Sequence, residues 1–443
     1  MKKFLCLMLA IVVLFPSGVL GQKISDTSKT GNASKKVETK ETEEIRNQNI
    51  WVPTKNGVQR ATYEEALKIE SLKAKPLTEL TKSYLLGDYK SGKILESYNI
   101  DEVRAMASTS KLVAVFVVLD ELERGSISKD DIVLIDREAA LLGGSSYKLK
   151  ENDQRTVQEL LEASLIVSGN DAITALAKHI AGSQEAFVEM MNDKCKELGL
   201  KNASMVNPTG LTNYEIEDYN KMTTREMFLL ARELIMKHPE VLEITSKDKI
   251  EEPDRNFVEY NTNPSLGIVE GIDGLKTGYT NAAGRCLIST GLQKGEEKKS
   301  LDTRLIGITT GSPSDWARYV AANKLMEEGF KKYKYIYIGD PENAITSIKI
   351  ENAAQDKIDL YEKSQGSILW DGKSEIKREF IFKEDLKPPI DVGETLGSVK
   401  YTMNGEEILK LDLINKDRVT QKGILFKIKD MYENIFINIR EAA

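Results

Sequence analysis

A serine and a lysine one helical turn apart are the first pair of residues that could do chemistry. Ser108 and Lys111 stand at the start of an apolar run, residues 112–119. Residues three positions apart share a helix face, so the lysine amine can reach the serine hydroxyl. Backbone N–H groups near a helix start also favour a developing negative charge. The pair predicts a serine nucleophile with its base in place, although a helix-capping serine followed by a solvated lysine has the same spacing.

The two histidines offer no convincing alternative base. His179 falls in an amphipathic stretch and His238 precedes Pro239, and both contexts are typical of structural residues. Their spacing does not suit metal ligands, and no cysteine cluster joins them. A serine enzyme built from this chain would therefore use lysine as its base. We expect no metal and no cofactor.

Two further triplets place polar groups where a substrate could meet them. Ser168 and Asn170 flank a glycine in a break between two helical stretches, which is also the pattern of an ordinary turn. Lys276, Thr277 and Gly278 put an ammonium and a hydroxyl beside a predicted strand, where the glycine lets a substrate backbone approach. Each triplet is common by itself, so its meaning depends on the other two.

The composition is that of a soluble globular protein. The chain has 443 residues, 41% hydrophobic and 30% charged, which suggests two or three domains. Its net charge of −7 argues against a general nucleic-acid binder. Cys6 lies in a segment that we expect to be removed. Cys195 and Cys286 are too few for a disulfide scaffold, and two buried free thiols are favoured over a single bridge.

The first 75 residues divide into two segments. Residues 1–21 have a basic start, an apolar run and a small-residue end, which predict a signal peptide, with an uncleaved anchor as the alternative. Residues 22–75 are rich in Lys, Glu, Thr, Ser and Asn and predict a hydrophilic, loosely ordered spacer. With either a cleaved or an uncleaved leader, the protein works outside the cytoplasm.

The remaining chain predicts an α+β domain followed by a small all-β domain. In residues 76–335, consecutive strands joined by a hairpin predict an antiparallel sheet, and the apolar run 112–119 predicts a buried central helix. Residues 340–424 form short alternating runs, with a hairpin signal at Asn404-Gly405. Residues 425–443 predict an amphipathic helix that lies on a membrane surface or packs on the β-domain.

Taken together, the three triplets resemble the penicillin-recognising serine enzymes in their order and rough spacing. Longer strings (residues 143–146, 165–172, 207–211 and 273–280) resemble the low-molecular-mass penicillin-binding proteins, and among these the serine-type D-alanyl-D-alanine carboxypeptidases with a β-rich C-terminal domain. The resemblance covers about residues 77–415. It implies a penicillin-binding, serine β-lactamase-like transpeptidase domain at 76–335 and a β-sandwich-like domain at 340–424.

The resemblance also implies roles for the residues of the triplets. Ser108 attacks the carbonyl between the last two D-alanines of a peptidoglycan stem pentapeptide, and Lys111 takes its proton. For this Lys111 must be neutral, and burial and the nearby Lys276 would lower its pKa. Ser168 together with Lys111 protonates the leaving amine, and Asn170 hydrogen-bonds the substrate amide.

The remaining roles concern the two ends of the scissile bond. The backbone N–H groups of Ser108 and Tyr279 would form the oxyanion hole. Lys276 and Thr277 would hold the terminal carboxylate. Arg318 is a candidate second partner for that carboxylate, or else a surface arginine of a helix. The implied ligands are stem peptides and β-lactam antibiotics, which would acylate the same serine.

Three alternative functions compete with a carboxypeptidase. A β-lactamase of the same fold needs a deacylating carboxylate, and Glu215 and Glu217 lack the surrounding motif. A transpeptidase, in which an amine replaces water, has the same triplets and stays open. An inactive peptidoglycan-binding protein is disfavoured because all three triplets are intact.

Overall fold

The computed structural model describes residues 50–425, 428–429, 431–432 and 435. The predicted signal peptide and residues 22–49 of the predicted spacer lie outside this range. Up to residue 332, the helices are α1 (Tyr63–Lys73), α2 (Leu77–Leu80), α3 (Lys111–Arg124), α4 (Arg137–Ala140), α5 (Val157–Ile166), α6 (Asn170–Ala181), α7 (Gln184–Glu197), α8 (Thr224–Lys237), α9 (Val241–Thr245) and α10 (Asp315–Lys332).

The strands fall into an earlier and a later group. The earlier strands are β1 (Trp51–Thr54), β2 (Gly57–Arg60), β3 (Ser83–Asp88), β4 (Ile94–Tyr98), β5 (Val103–Ala105), β6 (Ile132–Leu134), β7 (Gln154–Thr156), β8 (Lys221–Thr223), β9 (Lys249–Glu252), β10 (Phe257–Tyr260), β11 (Ile272–Thr280), β12 (Gly284–Gln293), β13 (Ser300–Leu301) and β14 (Thr303–Ser312). The later strands are β15 (Lys334–Ile338), β16 (Thr346–Ile348), β17 (Ile358–Glu362), β18 (Gly366–Trp370), β19 (Ile376–Phe382), β20 (Thr395–Met403) and β21 (Glu406–Asn415).

A five-stranded sheet in the order β11-β12-β14-β3-β4 forms the frame of the first domain. All its neighbouring strands pair antiparallel, as the sequence predicts. The early strand β3 pairs with the late strand β14, which closes the domain around the helices between them. Because β11 lies at the edge of the sheet, one side of this strand is left for another segment to approach.

Helices cover both faces of this sheet. Ile306 and Ile308 of β14 belong to the same core cluster as residues of α3 and α8. Gly307, between them, faces the other way, and a Cβ built on it would lie 2.5 Å from the sulfur of Met326 in α10. Since successive side chains of a strand alternate, the α3–α8 layer and α10 lie on opposite faces. The predicted α+β fold is therefore confirmed.

Helix α3 is the buried centre of the first domain. Every residue from Lys111 to Glu121 is buried, including all of the apolar run 112–119. The helix ends at Gly125, whose φ of 73° provides the left-handed turn that terminates many helices. The predicted central helix is thus confirmed, and burial on all sides holds the residue at its N-terminal end in place.

The C-terminal half of α3 carries a buried ion-pair network. Asp120 accepts hydrogen bonds from Lys237 at 2.6 Å and from Nε2 of His238 at 2.7 Å, and it pairs with Lys194 at 2.5 Å. Asp120, Glu123 and His238 come close enough together to bind a cation, but the two lysine ammonium groups already neutralise Asp120. His238 is held by Asp120, which lies roughly 13 Å along α3 from Lys111, and this buried ion-pair contact agrees with the structural role predicted for the histidine.

Residues 50–75 are folded, and the predicted spacer is wrong for this stretch. The β1–β2 hairpin and α1 place Val52 and Ile69 in the core, with 1% and 0% of their surface exposed. The hydroxyl of Tyr319 in α10 donates to the carbonyl of Trp51 at 2.6 Å, and α1 packs on the same helix. A few apolar residues are enough to fold this stretch because they pack against α10. The local sequence pattern cannot indicate that distant surface.

The later strands form the predicted all-β domain. Its main sheet has the order β16-β17-β21-β20-β19. In a separate three-stranded sheet, β15 pairs with β18 on one side and with β13 of the first domain on the other. Leu360, Val399 and Leu413 are fully buried between its elements. Asn404 and Gly405 both have positive φ in the turn between β20 and β21, which confirms the hairpin.

Cys195 and Cys286 are both buried free thiols, as favoured from the sequence. Burial raises the pKa of Cys195 to about 12, so this thiol is unreactive at neutral pH. The predicted helix at 425–443 is helical at each of its described positions. None of the described helices has the length and apolar character needed to cross a membrane.

Candidate active site

Ser108 lies in a short 3-10 helix, Ala107–Ser110, that leads directly into α3. Its neighbours Thr109 and Ser110 are fully buried, whereas Ser108 is only half-buried. The hydroxyl of Ser110 accepts from Nδ2 of Asn220 at 2.7 Å and donates to the carbonyl of Ala107 at 2.9 Å. These hydrogen bonds hold the segment on its buried side, and Ser108 carries the hydroxyl that faces outward.

The amine of Lys111 has three close partners. Nζ lies 2.9 Å from Oγ of Ser108, 2.6 Å from Oδ1 of Asn170 and 2.7 Å from the carbonyl oxygen of Thr209. A neutral amine has two N–H groups and one lone pair. The amide and carbonyl oxygens can only accept, so they take the two N–H groups. The lone pair is then left for the hydroxyl proton of Ser108.

The environment of Lys111 favours this neutral form. The side chain is fully buried. Burial and, second to it, the positive charge of Lys276 hold the pKa of Lys111 well below its ordinary value of 10.5, while Asp171 acts in the opposite direction. The pKa shift predicted from the sequence, with both of its causes, is confirmed.

Asn170 stands at the start of α6 and connects Lys111 to a loop above the site. While its Oδ1 accepts from Lys111, its Nδ2 donates to the carbonyl of Gly143 at 2.7 Å. The next residue, Asp171, accepts from the hydroxyl of Ser146 at 2.7 Å and from the backbone N–H groups of residues 147 and 149. The start of α6 therefore connects the loop 143–149 to Lys111.

Ser168 comes just before this helix in a left-handed conformation, with φ of 63°, and is 3% exposed. Among the described residues, its hydroxyl makes no hydrogen bond to Lys111. The structure thus brings the predicted second triplet to the site, and the direct contact to the amine is made by Asn170 rather than by the serine.

Sequence reasoning gave Thr209 no role, although its carbonyl is a central acceptor. This carbonyl faces both Lys111 and Oγ of Ser108, the latter at 3.3 Å. The side chain of Asn207 holds the turn by accepting from the N–H groups of Thr209 and Gly210. A Cβ on Gly210 would lie 2.0 Å from the carbonyl oxygen of Ala107, so only glycine fits. The Asn-Pro-Thr-Gly turn was visible in the sequence, but a backbone contact across the fold was not.

Strand β11 passes directly against the serine segment at Gly278. A Cβ on this residue would lie 2.9 Å from the backbone nitrogen of Thr109, 3.0 Å from the carbonyl oxygen of Met106 and 3.1 Å from the backbone nitrogen of Ser108. The sequence predicted that Gly278 lets a substrate backbone approach. The structure instead places the backbone of residues 106–109 against it.

Lys276 and Thr277 precede this contact on the same strand. Lys276 is 1% exposed, and its ammonium donates to the carbonyl of Thr277 at 3.0 Å. Burial and then the charge of Arg318 lower the pKa of Lys276 to about 7. The hydroxyl of Thr277 donates to Oγ1 of Thr262 at 2.8 Å. Nothing in the sequence around Thr262 indicated that it belongs to the site.

Arg318 lies on α10, close enough for its charge to act on Lys276. Its side chain is 13% exposed, and it pairs with Asp315 at 3.1 Å. Burial lowers its pKa from the ordinary arginine value. An arginine of the solvent-facing helix surface would be far more exposed, so this second interpretation from the sequence is disfavoured.

Tyr279 marks the outer rim of the site. Its side chain is 48% exposed, the guanidinium of Arg285 lies 3.9 Å from its ring centre, and its hydroxyl donates to Asn281 at 2.7 Å. The backbone N–H of Asn281 in turn donates to the hydroxyl of Tyr214 at 3.0 Å. These contacts hold the tyrosine ring on the exposed side of β11, one residue beyond Gly278.

Residues 70–302 match the profile of the D-alanyl-D-alanine carboxypeptidase family, and residues 330–421 match that of the penicillin-binding protein 5 C-terminal domain. The chain belongs to the D-alanyl-D-alanine carboxypeptidase family. It is a low-molecular-mass penicillin-binding protein, as the resemblance implied.

Individual relatives agree with this assignment over most of the chain. D-alanyl-D-alanine carboxypeptidase DacF of Bacillus subtilis is 31% identical over 82% of this chain and 92% of its own length. Penicillin-binding protein 5 of Haemophilus influenzae has a crystal structure that superposes with a TM-score of 0.59, at 28% identity, over 79% of this chain and 100% of its own. Penicillin-binding protein D2 of Listeria monocytogenes, solved in its ampicillin-bound form, gives 0.50 at 33% identity, over 57% of this chain and 97% of its own.

Proposed function

We propose that Ser108 and Lys111 carry out a serine-type D-Ala-D-Ala carboxypeptidase reaction on peptidoglycan stem pentapeptides. One observation carries the proposal: a buried amine with two oxygen acceptors and a third contact, at 2.9 Å, to a half-buried hydroxyl. As the serine oxygen attacks the carbonyl between the last two D-alanines, the lone pair of Lys111 takes the hydroxyl proton.

The later steps use the groups around the pair. The backbone N–H groups of Ser108 and Tyr279 stabilise the oxyanion of the tetrahedral intermediate. The C–N bond breaks, and D-alanine leaves with the proton from Lys111. Ser168, which makes no hydrogen bond to Lys111 in the free protein, relays this proton only when substrate is bound. One N–H of the Asn170 amide binds Gly143, and the other binds the substrate amide. Water then hydrolyses the ester and frees the serine.

The terminal carboxylate of the substrate binds at Lys276 and Thr277. A protonated Lys276 donates a charge-assisted hydrogen bond to the carboxylate. The Thr277 hydroxyl gives up its hydrogen bond to Thr262 and donates to the carboxylate instead. Arg318 is the second cation, since its charge already acts at Lys276 in the free protein. This arrangement requires a free carboxylate and so favours the end of a peptide over an internal bond.

A β-lactam acylates Ser108 in the same way, and the adduct persists. Hydrolysis in a β-lactamase needs a carboxylate placed to activate water. Across the described part of the chain, no carboxylate hydrogen-bonds Ser108 or Lys111. Asp171 is the acidic residue whose charge acts on the lysine, and its oxygens are occupied by the loop 143–149.

The test combines labelling with product analysis. Fluorescent penicillin should label the purified protein, and Ser108→Ala should abolish labelling while the thermal unfolding temperature stays unchanged. Ser110→Ala is unsuitable as a control because that hydroxyl is buried; Ser126→Ala, at the far end of α3, should label normally. Persistent labelling of Ser108→Ala would refute the assignment of Ser108 as the nucleophile.

Incubation with a pentapeptide should release D-alanine and form no cross-linked dimer, and dimer formation would indicate a transpeptidase.

We also propose that the protein works on the outer face of the cytoplasmic membrane and contacts it through its C-terminal helix. Leu425, Ile428, Met431, Tyr432 and Ile435 are apolar at helical spacing and between 44% and 84% exposed. An exposed apolar helix face of this kind supports binding in the interface of a bilayer. The protein should co-sediment with vesicles of anionic lipid, and a variant truncated after residue 423 should not. Equal sedimentation of both would contradict this proposal.

A further inference from the structure

Asn220 is a buried amide between two segments that contribute to the environment of Lys111. It comes directly before β8, which pairs antiparallel with β5, the strand that leads into the serine segment (residues 106–110). The backbone carbonyl of Asn220 extends this pairing by accepting from the N–H of Met106 at 3.0 Å. Only 1% of the residue is exposed, so its side-chain amide must find hydrogen-bond partners inside the protein.

Every hydrogen-bonding position of this amide is occupied. Its Nδ2 donates to Oγ of Ser110 at 2.7 Å and to the carbonyl of Asn207 at 2.8 Å. Its Oδ1 accepts from the backbone N–H groups of Val206 at 2.7 Å and Asn207 at 3.2 Å. An amide side chain offers two N–H groups and two lone pairs, so none is left over. One bond reaches the serine segment, and the other three reach the chain at the start of the turn 207–210.

Two partners of Lys111 come from the segments that Asn220 connects. Nζ of Lys111 lies 2.9 Å from Oγ of Ser108 on the serine segment and 2.7 Å from the carbonyl oxygen of Thr209 on the turn. Asn207, whose backbone is held by Asn220, fixes the turn in its place, because its side chain accepts from the N–H of Thr209 at 3.1 Å. The amide therefore supports both partners of the amine at once.

The relative position of the two segments is a tertiary property, since Ser110 and Asn220 are 110 positions apart in the chain. Within the described residues, Asn220 makes no hydrogen bond to Ser108 or Lys111, so it does not touch the reacting atoms. Its contacts act on the separation between the Ser108 hydroxyl and the Thr209 carbonyl, which Lys111 bridges. An amine whose N–H groups are held by fixed acceptors keeps its lone pair in one direction.

We propose that Asn220 is a positioning residue for the acylation of Ser108. By fixing the serine segment against the Thr209 carbonyl, it keeps the lone pair of Lys111 directed at the serine hydroxyl. Loss of its four side-chain hydrogen bonds lets the two segments shift independently. A shift of about 1 Å at the reacting atoms can cost about 100-fold in rate. The inference rests on the proposed function, because it assumes that Ser108 is the nucleophile and Lys111 its base.

The experiment measures acylation of the full-length protein by fluorescent penicillin over a range of concentrations, with thermal unfolding beside it. This separates the dissociation constant of the non-covalent complex from the maximal rate of acylation. Asn220→Ala should lower the maximal rate at least about tenfold and leave the dissociation constant within about twofold. Binding is kept because Lys276 and Thr277, the proposed carboxylate ligands, make no hydrogen bond to Asn220 in the described part of the chain.

Ser110→Ala is a milder variant that breaks the contact between Asn220 and the serine segment with a smaller change in volume. It should lower the maximal rate in the same manner but less. The double variant should be slowed by less than the product of the two single effects, because both substitutions break the same hydrogen bond. If Asn220→Ala does not fold, an unchanged maximal rate in Ser110→Ala overturns the inference.

Asn192→Ala is the matched control in the same domain. Like Asn220, this residue on α7 makes three hydrogen bonds to backbone groups. It donates to the carbonyls of Val188 at 3.0 Å and Met205 at 2.8 Å and accepts from the N–H of Met205 at 2.9 Å. Its replacement should lower the unfolding temperature while the maximal rate of acylation stays within about twofold of wild type.

Failure of this inference can be told apart from failure of the proposed function. A folded Asn220→Ala variant with a maximal rate within about threefold of wild type would overturn the inference alone. An equal slowing of Asn192→Ala, or a parallel change in the rate and the dissociation constant of Asn220→Ala, would do the same. A wild-type protein that penicillin does not acylate would overturn the proposed function itself.

Discussion

Replacing Gly278 by alanine should slow acylation of Ser108 without unfolding the protein. The added methyl group would lie between 2.9 and 3.1 Å from three backbone atoms of residues 106–109. Carbon atoms pack comfortably at about 3.5–4.0 Å, so β11 and the serine segment must separate by about half an ångström. These atoms belong to the backbone of buried elements and cannot move aside as a flexible side chain would.

Two magnitudes follow from that displacement. Overpacking of this kind costs about 1–3 kcal/mol of stability. A misplacement of 1 Å can cost about 100-fold in rate, so half of it should slow acylation by about 10-fold, or roughly 1.4 kcal/mol in activation free energy. The assay is the second-order rate of acylation by fluorescent penicillin, measured beside thermal unfolding.

Gly307→Ala is the matched control on the same sheet. Its methyl group would meet the sulfur of Met326, which belongs to a flexible side chain and can move. This variant should lose some stability and acylate at close to the wild-type rate. The reasoning would be refuted if Gly278→Ala were folded and acylated within threefold of wild type, or if both variants slowed equally.

Two further predictions concern the lysines. Lys111→Arg should lower acylation by at least about 10³-fold, because a guanidinium stays protonated and cannot act as the base; near-normal labelling would exclude Lys111 from that role. For Lys276, whose free-enzyme pKa is about 7, kcat/KM for the pentapeptide should fall as the pH rises above about 7, since the ammonium that binds the carboxylate is then lost. The profile of kcat should stay flat to higher pH, because a bound carboxylate stabilises the charged form. A kcat/KM that is constant between pH 6 and 9 would contradict this.

Local patterns were sufficient for the elements that carry the triplets. The spacing of Ser108 and Lys111 at a helix start and the turn at Asn404-Gly405 each depend on residues a few positions apart. The apolar run after Lys111 has no polar face, which by itself requires burial on all sides. Features of this kind are decided within the segment itself and do not depend on the rest of the fold.

Local patterns were insufficient where a segment depends on a distant surface. Residues 50–75 look like a spacer because their few apolar side chains show no period, yet they are covered by α10, more than 200 positions later in the chain. The roles of Thr209 and Thr262 could not be predicted from the sequence for a related reason. One acts through a backbone carbonyl and the other through a single hydroxyl, and neither leaves a motif at the point of contact.

By itself, the sequence determined which groups could be nucleophile, base and carboxylate ligand, because those are properties of residue types at short spacing. The tertiary structure decided whether Lys111 can be a base. Its pKa depends on burial beneath α6, on the charge of Lys276 from another strand, and on two oxygen acceptors that occupy its N–H groups. A lysine's protonation state is set by the solvent and charges around it, and those come from parts of the chain that only folding brings together.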